Sequence, residues 1–160
     1  MKLRRFLGLG AIAVYFALVT FAPVLDQFVL FPSTGRIPVG SATRRIVPFE
    51  TGELEVWTAE SHAARAGRPK TYVLRFYGNA DRADHWVAGE AEMFGDRSLE
   101  IWGVNYPGFG GSTGPARLAR IGPAALAAFD ELRRVAGDRP ILVFGASLGT
   151  IAALHVAAER

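Results

Sequence analysis

Residues 141–150 read Ile-Leu-Val-Phe-Gly-Ala-Ser-Leu-Gly-Thr, and the reading of the fold turns on them. Pro140 opens a run of four large apolar residues, Ile141–Phe144, of the kind that fills the centre of a parallel sheet. Directly after it, Gly145-Ala146-Ser147-Leu148-Gly149 fits Gly-x-Ser-x-Gly, and Leu148 to Arg160 read as a helix. A serine at a sharp strand-to-helix turn takes a strained backbone, and the residues two before and two after it approach so closely that a side chain would collide. Glycines at 145 and 149 remove that collision. The turn lifts the Ser147 hydroxyl above the sheet, and the helix N-terminus behind it favours developing negative charge. A glycine-rich turn with an incidental serine gives the same letters; the strand before and the helix after favour the nucleophile.

Upstream, the pattern alternates. Arg45–Phe49 and Glu53–Thr58 flank Thr51-Gly52 as an antiparallel hairpin, with Leu54 and Val56 on one face. Thr71–Tyr77 is a third strand. Ala83, Trp86, Val87, Ala91 and Phe94 recur at helical spacing after Asp81, which is placed to cap that helix. Ser98–Tyr106 reads as a strand buried on both faces, stopped by Pro107-Gly108. A second helix runs from about Gly122 to Ala136, with Ala125, Ala128, Phe129, Leu132 and Val135 as its apolar stripe and Gly137 as its C-cap. Strands alternating with helices predict an α/β layer structure, a mostly parallel sheet with an antiparallel hairpin at its N-terminal end.

An acyl-transfer nucleophile needs two backbone donors for the tetrahedral oxyanion, one from the residue after it and one from the loop leaving the third strand. Those donors are the N–H groups of Leu148 and of Asn79, with Ala80 the second choice in that loop. Gly78 lets its backbone come close. Taken alone, Tyr77-Gly78-Asn79-Ala80 is an ordinary turn. The glycine-rich run Asn105–Gly114 is no phosphate-binding loop, because no Gly-Lys-Ser/Thr follows and position 113 is threonine.

The chain has 160 residues, 50% of them hydrophobic and 21% charged, enough for one compact domain. It contains no cysteine, which excludes a disulfide framework, a thiolate metal site and a cysteine nucleophile. No cofactor or metal is expected. The net charge of +3 comes from Lys2, Arg4 and Arg5; without them 15 basic residues face 15 acidic ones. No basic surface is left for nucleic acid.

Residues 6–25 (FLGLGAIAVYFALVTFAPVL) carry no charge, and as a helix they would span about 30 Å, the thickness of a bilayer's hydrocarbon core. The basic cluster before them and the poor cleavage context at Thr20-Phe21-Ala22, with Pro23 next, predict an uncleaved single-pass signal anchor rather than a cleaved signal or a buried helix. The N-terminus would be cytoplasmic and the domain would lie on the outer side, which is the periplasm in a bacterium. Residues 26–45, with two prolines and two glycines, read as a linker to a domain over 46–160.

Phe76-Tyr77-Gly78-Asn79-Ala80, the run Asn105-Tyr106-Pro107-Gly108-Phe109-Gly110-Gly111-Ser112-Thr113-Gly114 and Gly145–Gly149, in this order and spacing, resemble three blocks of the α/β-hydrolase superfamily: His-Gly-Asn, Asp-Tyr-Arg-Gly-Tyr-Gly-x-Ser-x-Gly and Gly-x-Ser-x-Gly. The branch they are most similar to is that of the membrane-anchored, Bem46-like serine hydrolases, and Gln27–Ser33 after the apolar segment resembles it too. The resemblance implies a nucleophile at Ser147, an oxyanion hole from Leu148 and Asn79, and a small-molecule or lipid acyl substrate cleaved at an ester, thioester or amide bond. Tyr77 departs from the pattern where histidine is usual, and Asn105 where aspartate is frequent.

The superfamily's acid and base follow the nucleophile. After Ser147 only His155 and Glu159 offer such groups, and His155 lies eight positions on, about 12 Å along its own helix. Neither can serve. His62 and His85 precede the nucleophile and read as surface positions. The chain therefore reads as the N-terminal part of a hydrolase, truncated after the nucleophile helix. The competing expectation is a non-catalytic, membrane-tethered fragment. In either case one side of Ile141–Phe144 is left as an open sheet edge, a route to self-association.

Overall fold

The computed structural model describes residues 2–35 and 37–160, apart from the side chains of residues 2–9, 11, 13, 22 and 23. Its elements are α1 (Lys2–Val29), β1 (Thr43–Phe49), β2 (Gly52–Glu60), α2 (His62–Arg65), β3 (Thr71–Phe76), α3 (Ala83–Met93), β4 (Leu99–Val104), α4 (Leu118–Ala136), β5 (Ile141–Gly145) and α5 (Leu148–Glu159). The five strands form one sheet in the order β1-β2-β4-β3-β5. β2 is antiparallel to both β1 and β4, whereas β3 runs parallel to β4 and β5. Four strands thus share a direction and β2 opposes them, the mixed, mostly parallel sheet that the sequence predicts.

Two cores sandwich the sheet. On one face Val87 and Ala91 of α3 pack with Val73, Leu99 and Ile101. On the other, α4 and α5 pack with Leu54, Val56, Leu74, Phe76, Trp102 and Val104. β4 is buried along its whole length, as its sequence requires, because both layers cover it.

Several boundaries differ from expectation. α1 absorbs the first residues of the predicted linker and β1 starts at Thr43, two residues early. α2 was not foreseen; its N-cap is Ser61, whose Oγ accepts from the Ala64 N–H at 3.3 Å and donates to the Arg97 carbonyl at 2.6 Å. Asp81 does not cap α3. Arg82 occupies the N-cap position without a side-chain capping bond, and Asp81 instead accepts from the Trp86 indole at 3.2 Å. The buried stripe of α3 is Ala83, Val87 and Ala91, leaving Trp86 and Phe94 exposed. α4 begins four residues before Gly122, with Pro123 inside it. β5 lies at the border of the sheet, so Ile141 and Val143 pack inward while Leu142 and Phe144 are both 57% exposed.

Among the described residues no helix is long and apolar enough to cross a membrane. Of the expected anchor 6–25, the side chains of 6–9, 11, 13, 22 and 23 lie outside the described residues. Those of Ile12, Val14, Tyr15, Phe16, Leu18 and Val19 are exposed.

Candidate active site

The chain passes from β3 through α3 to β4 on one side, then through α4 to β5 on the other. In open α/β sheets such a reversal leaves a crevice at the carboxyl ends of the strands, where ligands bind. The loop after β3 and the turn after β5 meet at that point.

Ser147 has φ 51° and ψ −119°, a left-handed conformation that costs a non-glycine residue about 1–3 kcal/mol. The surroundings hold it there. A Cβ on Gly145 would lie 2.2 Å from the Gly149 carbonyl oxygen, and one on Gly149 would lie 2.3 Å from the Phe76 carbonyl oxygen. The Ala146 N–H donates to that same Phe76 carbonyl at 3.1 Å. The turn is therefore clamped against the end of β3, and both flanking positions exclude any side chain. Leu148 opens α5 immediately after the serine.

The loop after β3 runs alongside. A Cβ on Gly78 would stand 3.5 Å from the Ser147 Cβ, so the loop that carries Asn79 runs close to Ser147. Ala80 turns the loop with φ 68°. Among the described residues, neither the Leu148 nor the Asn79 backbone N–H is taken up by a hydrogen bond. The Asn79 side chain has a separate task, since its Nδ2 donates to the Val29 carbonyl at 2.6 Å and its Oδ1 accepts from the Phe31 N–H at 2.9 Å.

Tyr77, at the position where the resemblance implies histidine, turns toward α3 and donates to Glu90 at 2.8 Å. Burial, and then the Glu90 charge, push its phenol far above the ordinary range, so it stays protonated and is no base. His85 is exposed and stacks on Trp86 at 4.8 Å, His62 starts α2, and the His155 ring lies where a Cβ on Gly122 would meet it at 2.8 Å, against α4. Glu159 ends α5.

The glycine-rich run is docked by a buried polar network that sequence reasoning missed. Asn105 Nδ2 donates to Glu55 at 2.8 Å and to Asp84 at 3.4 Å, while its Oδ1 accepts from the Ala83 N–H at the start of α3 at 2.8 Å. Glu55 also accepts from the Gly111 N–H at 2.7 Å and pairs with Arg44 at 2.7 Å. Ser112 Oγ accepts from the Glu55 N–H at 2.8 Å and donates to the Asn105 carbonyl at 2.7 Å. Arg82 pairs with Asp84. Burial would raise the Glu55 carboxyl, but the Gly111, Arg44 and Asn105 donors outweigh it and hold it below the ordinary value. Asn105 stood out only as a departure from aspartate, and Glu55 alternates with Leu54 and Val56, a phase that reads as solvent-facing. A cleft of about 520 Å³ beside the network includes Thr34, Ile37, Val39 and Trp57 in its lining but not Ser147.

An esterase of Pyrococcus furiosus matches with a TM-score of 0.61 at 15% identity over 81% of this chain and 52% of its own. A lidless serine hydrolase of Xanthomonas campestris matches at 0.59, with 14% identity over 81% and 58%. The fold is that of the α/β-hydrolases. A bacterial membrane phospholipase A matches this hydrolase fold at 0.52, with 23% identity over 100% of this chain and 48% of that one. The chain thus spans about half the length of these solved structures. No family model and no curated protein matches it.

Asn105 explains its own departure from aspartate. A third carboxylate between Glu55 and Asp84 would lose the donor to both and repel them, so Asn105→Asp should destabilise the domain by about 3 kcal/mol at pH 7. Protonation of the introduced carboxyl restores a donor, so the deficit should shrink as the pH falls toward 4. Wild-type stability should decline over that range, because Glu55 binds its proton less readily folded than unfolded. Urea unfolding at several pH values measures both; a pH-independent deficit would contradict the network's role.

Proposed function

We propose that this chain carries the nucleophile half of a membrane-anchored serine hydrolase, related through its three motif blocks to the Bem46-like branch. The observation that supports it is the strained Ser147, locked between two glycines at the end of β5 and beside the loop after β3. In the reaction, Ser147 Oγ attacks an acyl carbonyl carbon and its proton passes to an imidazole base. The N–H groups of Leu148 and Asn79 receive the oxyanion. The carbon–leaving-group bond then breaks, the leaving group takes the proton, and water releases the acid from the acyl-serine. Among the described residues no hydrogen bond links a histidine to Ser147, and this reading takes the base and its acid partner from outside residues 1–160. The competing reading, a tethered fragment without activity, rests on the same missing base.

Residues 6–25, read as one charge-free run that includes the positions whose side chains are not described, serve as the anchor, with Lys2, Arg4 and Arg5 on the cytoplasmic side. The exposed apolar side chains of α1 support this. The domain then lies on the outer side. The outer edge of β5, with Leu142 and Phe144 exposed, is a surface for pairing with a second copy.

Three measurements check these readings. In a protein that includes the base, Ser147→Ala should abolish fluorophosphonate labelling and lower turnover by about 10³-fold or more, whereas residues 1–160 alone should show no multiple turnover of p-nitrophenyl esters above a Ser147→Ala control. Robust Ser147-dependent turnover by residues 1–160 would remove the need for an outside base. After alkaline carbonate extraction the chain should stay with the membrane; release with a new N-terminus near Pro23 would make the segment a cleaved signal. Sedimentation of residues 26–160 should give a mass that rises with concentration, and a monodisperse monomer would rule out edge pairing.

A further inference from the structure

The end of α1 is tied directly to the loop that borders the nucleophile. Asn79 holds Val29 and Phe31 by the two hydrogen bonds of its carboxamide. Between them Leu30 is only 2% exposed and sits in the main core. The attachment continues: the Ser33 carbonyl accepts from the Gly110 N–H at 2.9 Å, and the Gly35 carbonyl from the Arg82 guanidinium. A flexible tether would leave the domain free to turn away from the bilayer, but this segment is fixed at several points within a few residues of the helix end.

Those fixed points lie on the side of the sheet where Ser147 stands. A Cβ on Gly78 would stand 3.5 Å from the Ser147 Cβ, and the side chain of Asn79, the next residue, donates to the Val29 carbonyl. Two residues of backbone place the nucleophile on the order of 10 Å from the last turn of α1. Around the latch, Phe28, Val29 and Phe31 are 73%, 50% and 59% exposed. Apolar groups of that size at the end of a membrane helix gain by entering the boundary between headgroups and acyl chains, which is about 5–10 Å deep.

We infer that Ser147 works at the bilayer surface and that its substrate is a membrane-resident acyl lipid whose ester carbonyl lies at the headgroup boundary. The inference deepens the proposed function and rests on α1 being the anchor and Ser147 the nucleophile. A diacyl lipid presents its esters at the depth that the latch gives to the site, and only a short displacement separates them from the serine. A water-soluble ester gains nothing from this placement.

Contact between lipid and site is testable without turnover. The full chain is reconstituted in phosphatidylcholine vesicles doped with a diacyl phospholipid bearing a diazirine on the acyl carbon beside the ester carbonyl. After illumination, adducts are mapped by mass spectrometry. The expected result is labelling of segments 76–80 and 145–149 in addition to α1, at least tenfold above the 137–140 turn at the opposite end of β5. Adducts confined to α1, or equal at both ends of β5, would overturn the inference. Because the readout is contact, it can fail while Ser147 still reacts with a fluorophosphonate in the protein that includes the base, and it can hold where that labelling fails.

Discussion

The carboxamide of Asn105 is buried between the carboxylates of Glu55 and Asp84 and at the same time receives the first free N–H of α3. An amide is the one group of its size that can donate twice and still accept. Through Glu55 it reaches the Gly111 backbone and, through its own carbonyl, Ser112, so that β2, β4, α3 and the glycine-rich loop meet in one set of bonds. Buried charges are tolerated only when each is paired and hydrogen-bonded. Here Arg44 and Arg82 supply the countercharges and the amide supplies the geometry. The position of α3 follows from this, and with it the path of the loop between β3 and α3.

That path leads to the second constraint, the contact between the ends of β3 and β5. The Phe76 carbonyl accepts from Ala146 and lies in the space that a side chain at Gly149 would need. Strain at Ser147 persists because the strand on one side and the helix on the other leave the turn no relaxed alternative. The Ser147 side chain and the loop through Gly78 are consequently brought close by packing alone. The same loop carries the Asn79 latch to α1. The loop beside Ser147 and the end of α1 therefore meet at one residue, whose side chain holds Val29 and Phe31 while its backbone N–H stays free among the described residues.

Much of this was legible in the sequence by itself. Gly145 and Gly149 announce the turn because only glycine fits there, whatever the rest of the chain does. Full burial of β4 was visible in its apolar content, although Glu100 interrupts the run and is buried with it, and the alternation of strands and helices gave the layer class. These are local signals: each depends on the residues' own size, polarity and period. What only the tertiary structure decided involves partners far apart in the chain. Asp81 looked like the cap of α3, yet the first N–H of that helix goes to Asn105, 22 positions from Ala83, because β4 brings the amide there. Glu55 reads as a solvent-facing residue, but the loop folded over β2 encloses it. The link between Asn79 and Val29 spans 50 positions, and no periodicity or motif encodes it. Composition and spacing fix what a segment can become, whereas the pairing of polar groups across the fold is set by where packing puts them.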